Sequence, residues 1–144
     1  MRPNELLIEA GAETVWALTI DVERWPDLTP TITDVTRLDD GPIGLGSRAR
    51  IKQPGQPAAV WTVTTFEPGT AFVWETRLGP VTMVGGHHIE AVEQGCVNRL
   101  TLEMHGRGSR LLERLVGGRI ARAIDTENHG FKRAAEGASA ETSG

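Results

Sequence analysis

The stretch TMVGGHHIEAVEQGCVNRLTLEMH, residues 82–105, decides the fold. Apolar and polar residues alternate on both sides of Gln94–Gly95, which is typical of two antiparallel strands joined by a tight turn. With this dipeptide as the turn, His87 pairs with Leu102 and Glu90 pairs with Arg99. One face of the hairpin is then nearly all apolar, and the other carries polar and charged side chains. The stretch therefore predicts an antiparallel sheet with one buried face.

The adjacent residues His87 and His88 lie on opposite faces of this hairpin, because successive side chains of a strand alternate. They cannot bind one ion together, and the sequence predicts neither a metal site nor a cofactor. His88 is expected to face solvent. His87 is expected to face the apolar side, and three interpretations stay open: a neutral core histidine, a polar group that orients a ligand, or a general acid or base. The apolar side chains of the same face are Met83, Leu100, Leu102 and Met104.

A second hairpin, VWTVTTFEPGTAFVWET at residues 60–76, turns at Pro68–Gly69. This turn aligns Val63 with Trp74 and Thr65 with Phe72, so Trp61, Phe72 and Trp74 share one face. Two tryptophans on an inner face either fill a core or stack on a flat ligand.

The rest of the chain up to residue 105 predicts short elements separated by turn residues. We expect a strand over Leu6–Ile8, a helix over Ala12–Thr19, and a second short helix over Val22–Trp25 that Pro26 and Pro30 end. An antiparallel meander follows. Its predicted strands are Ile32–Leu38, Ser47–Gln53, Ala59–Glu67, Ala71–Arg77, Val81–Glu93 and Cys96–His105.

A long helix is predicted from Ser109 to about Ala135, because apolar residues recur there at helical spacing. This helix must cover the apolar face of the sheet. Glu127 lies on the apolar stripe and points either to solvent or into a cavity, where burial would raise its pKa. The stripe consists of Leu112, Leu115, Val116, Ile120, Ala123, Ile124, Phe131 and Ala135. We predict one domain over 1–136 and a disordered tail over 137–144.

Charge and composition exclude several function classes. The net charge of −4 argues against a nucleic-acid binder, and the arginines of residues 107–122 are interpreted as a solvated helix face. The single cysteine, Cys96, allows no disulfide within a monomer. No segment predicts a membrane span or a signal peptide, so a cytoplasmic location is expected. The oligomeric state stays open between monomer and homodimer.

The order of elements and several segments resemble the START-like or Bet v 1-like superfamily, in its polyketide cyclase / dehydrase and lipid transport branch. The segments are AETVWALTIDVERWP, DDGPIGLGSRAR, VWTVTTFEPGTAFVWET, GGHHIE and RLTLEMHG. The resemblance implies an α+β helix-grip fold, in which a curved antiparallel sheet wraps around the C-terminal helix. It also implies a cavity for a small apolar or aromatic ligand, and it supplies no universal catalytic residue.

The sequence thus predicts a binding protein for a small hydrophobic, lipid-like or polyketide-like molecule held between the sheet and the long helix. The predicted site residues are Trp61, Phe72, Trp74, Met83, His87, Leu100, Leu102, Met104 and Glu127. One alternative is a polyketide cyclase or dehydratase with His87 as its proton-transfer group. Another is a partner-binding or stress-regulatory module whose cavity is filled by side chains.

Overall fold

The order of helices and strands follows the predicted order. The computed structural model describes the backbone of residues 1–143 and the side chains of residues 1–138. The elements are β1 (Asn4–Ile8), α1 (Ala12–Ile20), a 3-10 turn (Val22–Arg24), α2 (Trp25–Leu28), β2 (Asp34–Arg37), β3 (Arg48–Lys52), β4 (Ala59–Glu67), β5 (Ala71–Leu78), β6 (Val81–Val92), β7 (Gly95–Gly106) and α3 (Ser109–Ser143). The helix α3 extends beyond its predicted end near Ala135. The disorder predicted for the tail stays a prediction, and Gly144 and the side chains of 139–143 lie outside the described residues.

The described backbone forms one seven-stranded antiparallel sheet in the order β1-β7-β6-β5-β4-β3-β2. Strands β2 to β7 form a meander, and β1 joins it beside β7. The helices α1 and α2 follow β1, and α3 follows the last strand. The predicted α+β class and the helix-grip architecture are confirmed.

The register of β6 with β7 differs from the prediction by two residues. The turn is Glu93–Gln94, so His87 pairs with Leu100 rather than Leu102, and Glu90 pairs with Val97 rather than Arg99. Gly95 belongs to β7 because it packs against β1: it has a φ of +146°, and a Cβ there would collide with the carbonyl oxygen of Ile8. Since the slip is an even number of residues, every side chain keeps its predicted face.

The β4–β5 hairpin contains a bulge that the sequence did not reveal. Its turn is one residue longer than predicted, with Gly69 at a φ of +84° and the Thr70 amide donating to the Glu67 carbonyl over 3.0 Å. A register shift between Val63 and Thr65 compensates for the extra residue. Val63 therefore pairs with Trp74 as predicted, whereas Thr65 pairs with Val73 instead of Phe72.

The prediction that Pro26 ends the second short helix is wrong. Pro26 lies in the first turn of α2, where a backbone amide has no helical acceptor and its loss costs nothing. The helix ends at Leu28, two residues before Pro30. Trp25 thereby starts a helix and points into the core, where 2 % of its surface is exposed.

The long helix α3 divides into two halves that we name by their contacts. The anchored half, residues 125–136, is bonded to β1: Asn4 donates to Asp125 over 3.1 Å, and Lys132 donates to the Leu7 carbonyl over 3.1 Å. The roof half, residues 109–124, lies over the remaining sheet. Within residues 1–143, no helix is both long enough and apolar enough to span a membrane.

Candidate functional site

A cavity of about 350 Å³ lies between the inner face of the sheet and the roof half of α3. Pockets for small molecules start at about 300 Å³, so this volume suits a compact ligand. The cavity exists in part because Gly85 of β6 has no side chain. Beyond its α-carbon lie the rings of Trp61 and Trp74, 3.5 and 3.6 Å from where a Cβ would stand.

The wall from the sheet is aromatic. The rings of Trp61 and Trp74 lie with their centroids 5.9 Å apart at an interplanar angle of 40°. Trp74 is buried, whereas Trp61 keeps part of its surface open. Met83, Leu100 and Leu102 complete this wall. The arrangement offers flat apolar surfaces on which an aromatic ligand can stack.

The wall from the helix is aliphatic and follows the apolar stripe of the sequence. The roof half contributes side chains one helical turn apart, and Glu127 lies at the end of this row. Arg119 also lines the cavity and is exposed. The aliphatic residues of the row are Leu112, Val116, Ile120, Ala123 and Ile124.

His87 lies at the inner end of the cavity within a cage of aromatic rings. Its ring centroid is 5.1 Å from Trp25, 5.6 Å from Phe131 and 5.9 Å from Phe72. The Nδ1 atom is fully buried, and the His87 side chain forms no hydrogen bond with any described residue. Burial, with a smaller effect of the neighbouring His88, lowers the pKa of His87 to about 3. The imidazole is therefore neutral at pH 7 and has a ring nitrogen without a protein partner.

Glu127 lines the cavity without a protein partner. No hydrogen bond or ion pair joins its carboxyl to a described residue, and none joins it to His87. Burial raises the pKa of Glu127 to about 7. At neutral pH a large share of the carboxyl is therefore protonated, and the inner cavity carries little fixed charge.

A buried amide pair fixes the helix beside this site. The Asn98 side-chain amide donates to the Asn128 side-chain oxygen over 2.9 Å, and Asn128 donates in turn to the Asn98 carbonyl and to the Asn4 side chain. Both Asn98 and Asn128 are 0 % exposed. Because Asn128 follows Glu127 directly, this clamp sets the position of the carboxyl along the sheet.

The structure brings most of the predicted site residues together. Seven of the nine predicted residues line the cavity: Trp61, Trp74, Met83, His87, Leu100, Leu102 and Glu127. Phe72 does not, because it is fully buried behind Trp74, with ring centroids 4.9 Å apart. Met104 does not either, although its cross-strand partner Met83 does.

Other wall residues were not predicted from the sequence. Trp25 forms the inner end of the cavity, with its ring nitrogen donating to the Leu18 carbonyl over 3.2 Å. The sequence predicts Trp25 as a helix-packing anchor or as a residue at the mouth of the cavity. Ile32 and Ile51 also line it, as do Gln53 and Gln56 of the β3–β4 loop. The alternation of Ile51 with Arg50 and Lys52 indicates that Ile51 faces inward. No sequence pattern indicates that Gln53 and Gln56 line the cavity.

The side chains offer no ready metal site. Among the described residues, no three His, Cys, Asp or Glu side chains converge on a point where they could hold an ion. Cys96 is buried, and burial together with Glu13 raises the pKa of its thiol.

Comparisons with known proteins agree with this architecture. The sequence profile of the family "Polyketide cyclase / dehydrase and lipid transport" matches residues 5–136. No curated protein sequence matches the chain.

Solved structures share the fold at low sequence identity. The di-domain ARO/CYC StfQ from the steffimycin biosynthetic pathway is 13% identical, with a TM-score of 0.76 over 96% of this chain and 52% of its own. The chain thus spans about half the length of StfQ. Hypothetical protein jhp0584 from Helicobacter pylori is 14% identical, with a TM-score of 0.77 over 92% of this chain and 86% of its own. Ara h 8.0201 is 16% identical, with a TM-score of 0.70 over 94% of each chain.

Proposed function

The chain belongs to the polyketide cyclase / dehydrase and lipid transport family, and we propose that it binds a small hydrophobic or aromatic molecule between the sheet and α3. The observation that carries the proposal is the open cavity of about 350 Å³. Its presence counts against the alternative of a partner-binding module with a filled core.

The polar groups of the cavity suggest how the ligand is held. The tryptophan wall suits a flat apolar ring, and the neutral His87, whose side chain lines the cavity and makes no hydrogen bond to a described residue, suits one hydroxyl or carbonyl group. A buried polar atom without a partner costs free energy, and a ligand that supplies the missing hydrogen bond recovers it. His87 is therefore proposed as the polar anchor of the ligand.

The first experiment is native mass spectrometry of freshly purified protein against its denatured mass, followed by fluorescence titration with naphthalene and naphthol. We expect a retained adduct or quenching of the wall tryptophans. Gly85→Leu places a side chain in the cavity and should weaken probe binding at least about tenfold. Gly137→Leu is the matched control, because nothing lies within 4 Å of a Cβ at that position. Equal probe binding by Gly85→Leu and wild type would refute the cavity as the site.

The anchor is tested separately with His87→Phe, which keeps the aromatic packing and removes the ring nitrogens. We expect naphthol to lose about tenfold in affinity and naphthalene to lose little. The folded protein should become about 1 kcal/mol more stable in urea unfolding, because the unpaired nitrogen is removed. Equal losses for both probes would assign His87 to packing alone.

An enzymatic role remains the second candidate, and one observation favours it. The Glu127 carboxyl, with a pKa of about 7, suits general acid–base chemistry near neutral pH. No second side chain orients it, and His87 lies outside hydrogen-bond reach, so binding is the stronger proposal. If a polyketide-like substrate is turned over, Glu127→Gln should abolish turnover and leave probe affinity nearly unchanged.

Four further features of this proposal follow from the sequence. The ligand-binding domain covers residues 1–136, the protein is cytoplasmic, it is a monomer or a homodimer, and it binds no nucleic acid. Size-exclusion chromatography with light scattering decides the oligomeric state.

A further inference from the structure

Two leucines on the outer side of α3 are exposed to an unusual degree. Leu111 is 61% exposed and Leu115 is 74% exposed. They lie four residues apart, so their side chains are neighbours on one helix face. Scattered exposed apolar residues are common, whereas contiguous apolar surface rimmed by polar residues is typical of interaction sites.

The surface around this leucine pair is strongly basic. Residues 107–122 contain five arginines and one acid, Glu113, which pairs with the N-terminal ammonium over 3.3 Å. All five guanidinium groups are exposed, and none forms an ion pair or hydrogen bond with a described residue. Elsewhere in the chain, Arg48 pairs with Asp39 and Arg99 pairs with Glu5. A protein with a net charge of −4 thus presents a local positive surface.

This surface lies on the helix segment that covers the cavity. On the same helical turns Leu112, Val116 and Arg119 line the cavity from the roof half. We define the Arg-Leu face by Arg110, Leu111, Arg114, Leu115 and Arg122. It occupies the opposite side of the segment that covers the site.

We propose that the Arg-Leu face docks on the surface of an anionic lipid bilayer. Arginines attract the acidic headgroups, and the leucine pair can enter the boundary between headgroups and acyl chains. A phosphate backbone would use the arginines but would leave the leucines in water, so a bilayer matches the whole face better than a nucleic acid does. The inference does not depend on a ligand in the cavity.

The test is co-sedimentation of the full chain with vesicles of phosphatidylcholine, with and without about one third phosphatidylglycerol. We expect binding to the anionic vesicles only, weakened by salt. Arg110→Gln/Arg114→Gln should weaken binding about fivefold for each arginine. Leu111→Ser/Leu115→Ser should weaken it at least about tenfold.

Matched controls exist elsewhere on the surface. Leu45→Ser removes a leucine that is 73% exposed, and Arg50→Gln/Arg77→Gln removes two exposed arginines without ion pairs. Both controls should bind anionic vesicles as wild type does, and circular dichroism verifies that all variants fold.

Three results would overturn the proposal. The first is an absence of sedimentation with anionic vesicles. The second is wild-type binding by the leucine variant, which would reduce the face to a general electrostatic patch. The third is tighter retention by duplex DNA than by the vesicles at equal salt, which would favour a nucleic acid as the partner.

Discussion

The two halves of α3 differ in what they contact: the anchored half packs against the sheet, and the roof half covers the cavity. The anchored half is bonded to β1, contains the buried Asn128, and places Phe131 in the core. The roof half turns aliphatic side chains toward an open volume and leaves Leu111 and Leu115 in solvent. The contacts of the anchored half therefore hold the roof half over a cavity that no side chain fills.

A small side chain added to the anchored half tests the difference between the two halves most directly. A Cβ at Gly130 would collide with the Leu28 carbonyl oxygen at the end of α2. Gly130→Ala should therefore lower the free energy of unfolding by about 3 kcal/mol, because backbone atoms must move. In the roof half nothing lies within 4 Å of a Cβ at Gly118, so Gly118→Ala should raise it by about 1 kcal/mol. Urea unfolding measures both, and similar effects of the two variants would contradict the division.

The buried amide clamp gives the next largest effect. Asn128→Ala leaves the Asn98 amide and the Asn4 side-chain oxygen without their partner. We expect the free energy of unfolding to fall by about 2 kcal/mol. Thr126→Ala, which loses only a hydrogen bond to the Arg122 carbonyl at the surface, is the control and should cost about 0.5 kcal/mol or less. A small effect of Asn128→Ala would show that packing alone holds the anchored half.

At the inner end of the cavity, two buried titratable side chains make the free energy of unfolding depend on pH in opposite directions. Between pH 4.5 and 6.5, folded Glu127 holds a proton that the unfolded chain releases, since burial raises its pKa to about 7 from 4.5. Stability therefore falls as pH rises. Over the same range, folded His87 lacks a proton that the unfolded chain holds, since its pKa is lowered from 6.5 to about 3. Stability therefore rises with pH.

These two slopes, each about 1.4 kcal/mol per pH unit, cancel in the wild type. We expect urea unfolding of the wild type to vary little from pH 4.5 to 6.5. Glu127→Gln should leave a stability that rises with pH, and His87→Phe should leave one that falls. A steep wild-type dependence that neither variant changes would refute both shifted pKa values.

Much of the fold was predictable because it rests on local patterns. The alternation in residues 82–105 indicated which side chains face inward, and the helical stripe after Ser109 indicated the covering helix. The two-residue error in the β6–β7 register arose because Gly95 is fixed by β1, a strand nearly ninety residues earlier in the chain. No sequence pattern within the hairpin indicates the contact between Gly95 and β1.

The faces of the strands, the long helix and most of the cavity wall follow from the amino-acid sequence, because each depends on the periodicity of side chains. Only the folded chain places the His87 ring among Trp25, Phe72 and Phe131 without a side-chain hydrogen bond, and turns Glu127 toward the cavity rather than solvent. The environment of a titratable group depends on residues from distant segments that meet only in the folded chain. The residue types of His87 and Glu127 allow proton transfer and hydrogen bonding, and the packing around each side chain sets its pKa.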